Sequence, residues 1–463
     1  MIFEQYYLEC LSQASYLIAD ETTGRAVVVD PRRDIEQYLE SAKEHGATIE
    51  LVIETHFHAD FLSGHLELAA ATGARIGFGA RAKPEFAARA LHNGERISLG
   101  EVTLDILETP GHTPESISIV VYERPDDAVP YGVLTGDTLF IGDVGRPDLL
   151  SSLGATSDEL ANMLHDSLND KLMPLPDATR VFPGHGAGSA CGKNLSTDLS
   201  STIGDQRASN YALQPMSRAD FVHVVTEGQA AAPTYFVYDA IRNRETHELL
   251  HELEHPAPLT IDGALEYQRQ AAVLLDTRDA GAFATGHLLG SVNVGLEGRY
   301  AQYVGSVVHP DEQIVLLAEP GAELEAKVRL GRIGYDRVVG YIENLYEVLQ
   351  QRPELMRAAS RLSVAALDDR RRAIPGLQVV DVRNTGETDE GAMPGSFSIP
   401  LPQLRDEMTT LDPTQPTVVF CAGGYRSSIA ASLLRRAGFD DVSDILGGYH
   451  AWEAAQARKT AIT

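Results

Sequence analysis

Through the first 200 residues, short apolar runs rich in β-branched side chains alternate with helix-like patterns, which predicts a mixed α/β region. The runs are Ser15–Asp20 (SYLIAD), Arg25–Asp30 (RAVVVD), Leu51–Thr55 (LVIET), Val102–Thr109 (VTLDILET), Ser116–Tyr122 (SISIVVY) and Gly132–Asp137 (GVLTGD), most of them bounded by turn formers. Between the second and third, Ile35, Tyr38, Leu39 and Ala42 share one face of a helix. Asp34 is placed to cap its start with Gln37 three residues on, and Gly46 to end it.

The pattern resets at His251–Thr260 (HELEHPAPLT), where two prolines in a polar setting mark a linker. Beyond it Ala271–Val294 parallels Leu377–Ile399, and the apolar run ending at Leu317 parallels the one ending at Cys421. Near-constant spacing within each pair implies tandem copies of an α/β unit of roughly 100 residues. Three domains are therefore expected, over residues 1–257, 258–358 and 359–463.

Charge narrows the choice of partners. With 38 basic against 66 acidic residues the formal charge is −28, which opposes binding to nucleic acid or an anionic membrane. No apolar run is long enough to cross a bilayer, and the start MIFEQYYLEC lacks the basic and apolar regions of a signal peptide, so a cytoplasmic location is expected. Homo-oligomerisation is left open. Three scattered cysteines, Cys10, Cys191 and Cys421, exclude a disulfide framework and a four-cysteine zinc site.

Candidate chemistry begins at Thr55–Phe61 (THFHADF), where His56, His58 and Asp60 follow a strand directly. His112 sits in a Gly/Pro turn, Asp137 ends one predicted strand and His185 ends another. Loops that converge at strand ends form sites above a rigid scaffold, and so many equivalent placements point to a metal. Isolated His45, His65 and His92 carry no such pattern. Gly184–Lys193 (GHGAGSACGK) fails as a phosphate loop, because Ala187 stands where a glycine is required and Asn194 where a Ser or Thr is required. Cys191 in that loop is expected to be a buried or inert thiol.

These motifs, over about residues 1–250, resemble the metallo-β-lactamase fold superfamily, whose pattern is His-x-His-x-Asp-His followed by separated His, Asp and His. The resemblance implies an αββα sandwich. Phe61 stands where the last histidine of the first motif belongs and cannot coordinate a cation, so one metal per chain is expected. Among single-metal members the chain is similar to the persulfide dioxygenases. That similarity implies Fe(II) on His56, His112 and Asp137, with His58, Asp60 and His185 as supporting groups. The following Phe140–Leu150 segment (FIGDVGRPDLL) is also similar to that family, and implies Arg146 as a bidentate grip for a substrate carboxylate, with Asp148 supporting it.

Far downstream, Val418–Phe439 reads as strand, tight loop and helix, with Cys421 at the strand end and Ile429, Leu433 and Ala437 on one side of a helix that begins at Ser427. Loop amides of Gly423 and Gly424, the helix N-terminus and Arg426 would gather positive potential on the sulfur and stabilise a thiolate or persulfide. The Cys-x4-Arg loop resembles that of the rhodaneses, which implies Cys421 as sulfur acceptor, Arg426 as its cationic partner, and Asp381 with Arg383 as the family's Asp-x-Arg segment, Arg383 serving substrate binding. In the earlier copy, counting back from its Ile-Gly-Tyr places Leu317 opposite Cys421, with no arginine following. That copy is expected to be inactive, a spacer or docking surface.

The resemblances together imply an Fe(II)-dependent oxidation of a thiol persulfide by O2 to sulfite and thiol, with thiosulfate and sulfite exchanged at the rhodanese. The alternatives are a glyoxalase II-like thioester hydrolase using a metal-bound hydroxide, and a non-enzymatic sulfur carrier. Phe61 and the fused cysteine loop both weigh against hydrolysis.

Overall fold

The computed structural model describes residues 1–149, 154–229 and 232–462; Leu150, the end of the Phe140–Leu150 segment, lies outside them. The chain divides into two compact units, Met1–His251 with Gly331–Gly334, and Glu252–Leu330 with Tyr335–Thr463.

The first unit is built on two six-stranded sheets. One runs in chain order through Ile2–Leu8, Gln13–Ala19, Arg25–Val29, Thr48–Ile53, Arg75–Gly79 and Arg89–Leu91. The other holds Arg96–Ser98, Thr103–Glu108, Ile117–Tyr122, Gly132–Gly136, Arg180–Pro183 and Ser201–Thr202. Alternation along each strand decides what faces what. Tyr16, Ile18, Val27 and Val29 point inward to meet Leu104, Ile106, Ile119 and Leu134 of the other sheet. Leu17, Ala19, Val28 and Val52 point outward and are covered by Tyr38 and Ala42 of helix Glu36–Glu44 and Leu68 of helix His65–Thr72. Val120, Val133 and Val181 lie on the outer face of the second sheet against Ala161 and Leu164 of helix Ser157–Ser167. Helices on both outer faces of two packed sheets give the αββα sandwich.

The predicted strands are present, within a few residues at their ends. Ile2–Leu8 forms a strand the sequence pattern did not suggest, pairing antiparallel along Gln13–Ala19. Among the described residues the cap expected of Asp34 is not made: Ile35 stands at the helix start without a side-chain cap, and the Asp34 carboxylate is held instead by Arg332 at 2.8 Å and Arg32 at 3.1 Å.

The second unit contains two all-parallel five-stranded sheets of the same order. In the first the order is Pro258–Leu259, Val338–Ile342, Ile314–Leu317, Val273–Asp276, Val292–Asn293; in the second it is Ser360–Leu362, Val442–Ile445, Thr417–Phe420, Gln378–Asp381, Phe397–Ser398. The ladders fix the correspondence between copies. Asp276 pairs with Leu317, and Asp381 with Phe420. Leu317 is thus the counterpart of Phe420, and Ala318 that of Cys421, which shifts the expected match by one position. The error arose from counting back along a loop and helix that are one residue shorter in the first copy. Helix Tyr425–Arg436 likewise starts two residues before Ser427, with Gly424 at its N-terminal boundary.

Candidate functional site

His56 follows the strand Thr48–Ile53, His112 lies in the turn between Thr103–Glu108 and Ile117–Tyr122, and Asp137 follows Gly132–Gly136. All three are almost fully buried, and donor atoms of the three lie within 4.8 Å of one another. Nε2 of His56 is 3.9 Å and Nε2 of His112 is 3.6 Å from Oδ2 of Asp137, with the two rings nearly perpendicular.

The hydrogen bonds behind these atoms set which lone pairs face the centre. Thr55 Oγ1 donates to Asp30 Oδ2 at 2.8 Å, so it accepts from His56 Nδ1 at 3.0 Å. His112 Nδ1 donates to the Arg146 carbonyl at 2.9 Å. With both protons on Nδ1, each Nε2 presents a lone pair inward. Burial pushes both histidines below their usual range and keeps them neutral. Asp137 Oδ1 is held by His185 Nδ1 at 2.8 Å, which leaves Oδ2 directed at the histidines. Burial opposes ionisation of Asp137, but the charge and hydrogen bond of His185 hold its carboxyl far below the ordinary range. Among the described residues, His56 Nε2 and Asp137 Oδ2 are buried with no hydrogen-bond partner, a costly state that a cation would relieve. The donor set therefore fits a metal. Gly145 allows the approach behind it: a Cβ there would fall 1.9 Å from the Asp137 carbonyl oxygen.

The supporting residues separate into two groups. His185 bridges Asp137 and Asp60, with Nε2 2.7 Å from Asp60 Oδ2, and the two carboxylates raise it well above its normal range despite burial. His58 turns away from the centre toward Asp30 Oδ1 at 3.1 Å and Glu54 Oε2 at 3.2 Å. Burial would lower it, yet Asp30 and Glu54 lift it to about 10.

Sequence reasoning missed Asp30 and Glu54, although the acid closing each apolar run (RAVVVD, LVIET) was a usable signal. Cys191, expected to be inert, is buried as anticipated but lies with Asp60 and His185 in a second cluster of donors. Burial first, then the Asp60 and Asp137 charges, push its thiol well up. Its position six residues after His185 was the available clue.

Arg146 is paired with Asp148, the partner expected to support it: its Nε and Nη2 grip that carboxylate at 2.7 Å each and its Nη1 donates to the Ala190 carbonyl at 3.1 Å. Hydrogen bonds satisfy this buried guanidinium internally, as burial demands.

In the second unit Cys421 is buried one residue beyond Thr417–Phe420, and its sulfur accepts the Gly424 amide at 3.1 Å. No such bond is made by Gly423 among the described residues. Gly448 lets the next loop close over the cysteine, since a Cβ there would fall 2.2 Å from the Cys421 carbonyl oxygen. Arg426 forms a two-pronged pair with Glu387, at 2.6 and 2.7 Å. Arg383 is not free for substrate either: Nε and Nη2 clasp Asp381, and other donors reach the Glu387 and Gly391 carbonyls.

A metal-binding sandwich carrying a C-terminal cysteine loop on a parallel sheet is the class that fold and site define. Residues 8–185 match the metallo-β-lactamase superfamily and residues 363–455 the rhodanese-like domain. A crystallographically solved metallo-β-lactamase from Staphylococcus aureus subsp. aureus COL is 34% identical, covering 73% of this chain and 98% of its own, with a TM-score of 0.66. The chain belongs to the metallo-β-lactamase superfamily, and its C-terminal part is a rhodanese-like domain. The cytoplasmic hydroxyacylglutathione hydrolase of Arabidopsis thaliana is 33% identical over 39% of this chain and 66% of its own length. ETHE1 from Myxococcus xanthus is 28% identical, covering 53% of this chain and 98% of its own, with a TM-score of 0.46. The chain spans 52% to 66% of the length of the first curated relatives it matches. Among the described residues no helix is long and apolar enough to cross a membrane.

Proposed function

We propose that the first unit is a mononuclear iron(II) dioxygenase acting on a low-molecular-weight thiol persulfide, and that the C-terminal domain is a sulfurtransferase using Cys421. One persulfide, one dioxygen and one water would yield one thiol, one sulfite and two protons, with the electrons lost by the outer sulfur taken up by dioxygen.

The observation that carries this reading is the donor set of two neutral histidines and one carboxylate, with Phe61 where a further ligand would stand. Three protein donors leave positions open for both substrates, whereas a closed structural site would exclude them. His56 and His112 would hold the metal through Nε2 and Asp137 through Oδ2. Bound iron(II) would supply the redox chemistry and a place for the substrate sulfur. Around it the chain's own groups do defined work: the Arg146 carbonyl and Thr55 hydroxyl fix the histidine tautomers, and His185 orients Asp137.

At Cys421 the thiolate would attack the outer sulfur of thiosulfate, forming a persulfide as the sulfur–sulfur bond to the leaving sulfite breaks. Carrying both activities in one chain would raise the local concentration of a shared sulfane-sulfur intermediate.

A second reading, thioester hydrolysis by a metal-bound hydroxide, is favoured by the identity to the Arabidopsis hydroxyacylglutathione hydrolase. Oxygen-electrode assay of iron-loaded protein with glutathione persulfide, run beside a glutathione thioester assay and metal analysis, separates the two. Oxygen uptake with sulfite formation and one iron per chain is expected; thioester cleavage without oxygen uptake, or two metals per chain, sinks the dioxygenase reading.

A further inference from the structure

The arginines close to the cysteine loop within its own repeat are already committed. Arg426 is held by Glu387, Arg383 by Asp381 and Arg361 by Asp444. Thiosulfate and sulfite are dianions, and their oxygens need donors that are not spent on carboxylates.

The cysteine-less repeat brings such groups to the loop. Tyr425, which follows the Gly424 amide that touches the sulfur, donates its hydroxyl to the Gly295 carbonyl at 2.6 Å and packs its ring on Tyr303 with centroids 5.2 Å apart. These contacts pin residues 295–303 against the cysteine loop. The next layer is firm as well, because Arg329 donates to the Leu296 and Gly298 carbonyls. Asn293 N–H adds a bond to Ser432 Oγ at 2.9 Å. Tyr303 sits on helix Tyr300–Val307, and Arg299 is the residue immediately before that helix, one turn from Tyr303. Tyr303 is half-buried, and its ring contact with Tyr425, the residue after the amide that binds the sulfur, places it beside the cysteine loop. Among the described residues no hydrogen bond or ion pair engages the Arg299 guanidinium.

We propose that the cysteine-less repeat supplies the oxyanion-binding wall of the Cys421 site, with Arg299 and the Tyr303 hydroxyl holding the sulfonate oxygens of thiosulfate, or of sulfite in the reverse direction. The inference rests on Cys421 being the sulfur acceptor. The Cys421 thiolate bonds to the outer sulfur of thiosulfate as that sulfur's bond to the central sulfur breaks. The electron pair of that bond departs on sulfite, and its oxygens remain in the grip of Arg299 and Tyr303 until release. The repeat without a nucleophile thereby contributes donor selectivity.

The test is steady-state sulfurtransfer to cyanide by the full chain, with thiosulfate as donor, beside persulfide loading of Cys421 from a neutral organic persulfide that has no sulfonate. Arg299→Gln is expected to raise KM for thiosulfate about tenfold to a hundredfold and Tyr303→Phe about tenfold, the range of one lost hydrogen bond to a charged group. KM for cyanide and loading from the neutral donor should stay within about twofold of wild type. Unchanged KM for thiosulfate in both variants overturns the proposal, and so does an equal loss with both donors, which would mean the wall only supports the loop. Binding of sulfite to Cys421→Ser protein by calorimetry gives a readout independent of turnover, and Arg299→Gln in that background should weaken it by a similar factor; equal affinity counts against the wall. If wild type and Cys421→Ser transfer sulfur equally, the reading of Cys421 itself falls, a result distinct from either.

Discussion

The ring of Phe61 lies against the imidazole of His58, with centroids 4.3 Å apart and planes inclined by 37°. Phe61 is fully buried, and it backs a histidine whose charge is taken by Asp30 and Glu54 rather than by the metal centre. The phenylalanine is therefore a packing element of the ion cluster beside the site, as well as a missing ligand.

Removing that ring should cost stability and loosen His58. Phe61→Ala is expected to destabilise the first unit by about 3–5 kcal/mol, the usual range for a deleted core aromatic. Chemical denaturation followed by fluorescence or circular dichroism measures it, and a loss below 1 kcal/mol would show that the site relaxes around the gap.

Metal affinity should depend on the histidine behind Asp137. His185→Gln removes the group that holds Asp137 Oδ1, and is expected to weaken iron binding about 10–100-fold. Asp137→Asn, which removes a donor outright, should reduce bound metal further. Competition titration with a chelator reads both; retention of wild-type affinity in both variants contradicts the assigned donor set.

Acid should destabilise the second unit through His287. Its imidazole is buried against Phe283, and burial, reinforced by Arg435, Arg278 and Arg357 over the opposing Phe283 carbonyl bond, lowers it to about 4. The unfolded chain binds this proton below about pH 6.5 while the folded one stays neutral down to about pH 4. Stability therefore falls as pH drops through that window, by roughly 3 kcal/mol from this group. His287→Gln should be less stable at neutral pH yet show a flatter profile between pH 6.5 and 4; parallel profiles in urea denaturation would remove His287 as the cause.

The two chemistries should be separable by single substitutions. Cys421→Ser is expected to abolish thiosulfate sulfurtransfer while oxygen uptake with a thiol persulfide stays largely intact, and His112→Ala to do the reverse. Loss of both activities in either variant speaks against two independent sites.

Much of the first unit was legible because its strands are marked by composition and each ends in the residue that matters. His56, His112 and Asp137 stand at the ends of runs readable as strands, which grouped them with His58, Asp60 and His185, while the choice of these three as ligands came from the family resemblance. What local pattern cannot carry is the pairing of side chains across the fold. The grip of Arg426 on Glu387 depends on where backbone turns aim the fork across 39 residues of chain, whereas Asp148, two residues from Arg146, was close enough in sequence to be expected as its partner. The one-position slip at Ala318 has the same origin: ladder pairing between neighbouring strands fixes register, and a count along a loop of unequal length does not.

The cysteine-less repeat keeps a buried clasp between Asp276 and Arg278 at 2.6 Å, the counterpart of the Asp381–Arg383 clasp beside the working loop. Losing one partner of such a clasp would strand a charge in the interior, whereas the position after the neighbouring strand is Ala318 in one repeat and Cys421 in the other with the clasp present in both. The Asp-x-Arg clasp is thus a framework element of this sheet, and it is the residue one position beyond the neighbouring strand that distinguishes the two repeats chemically.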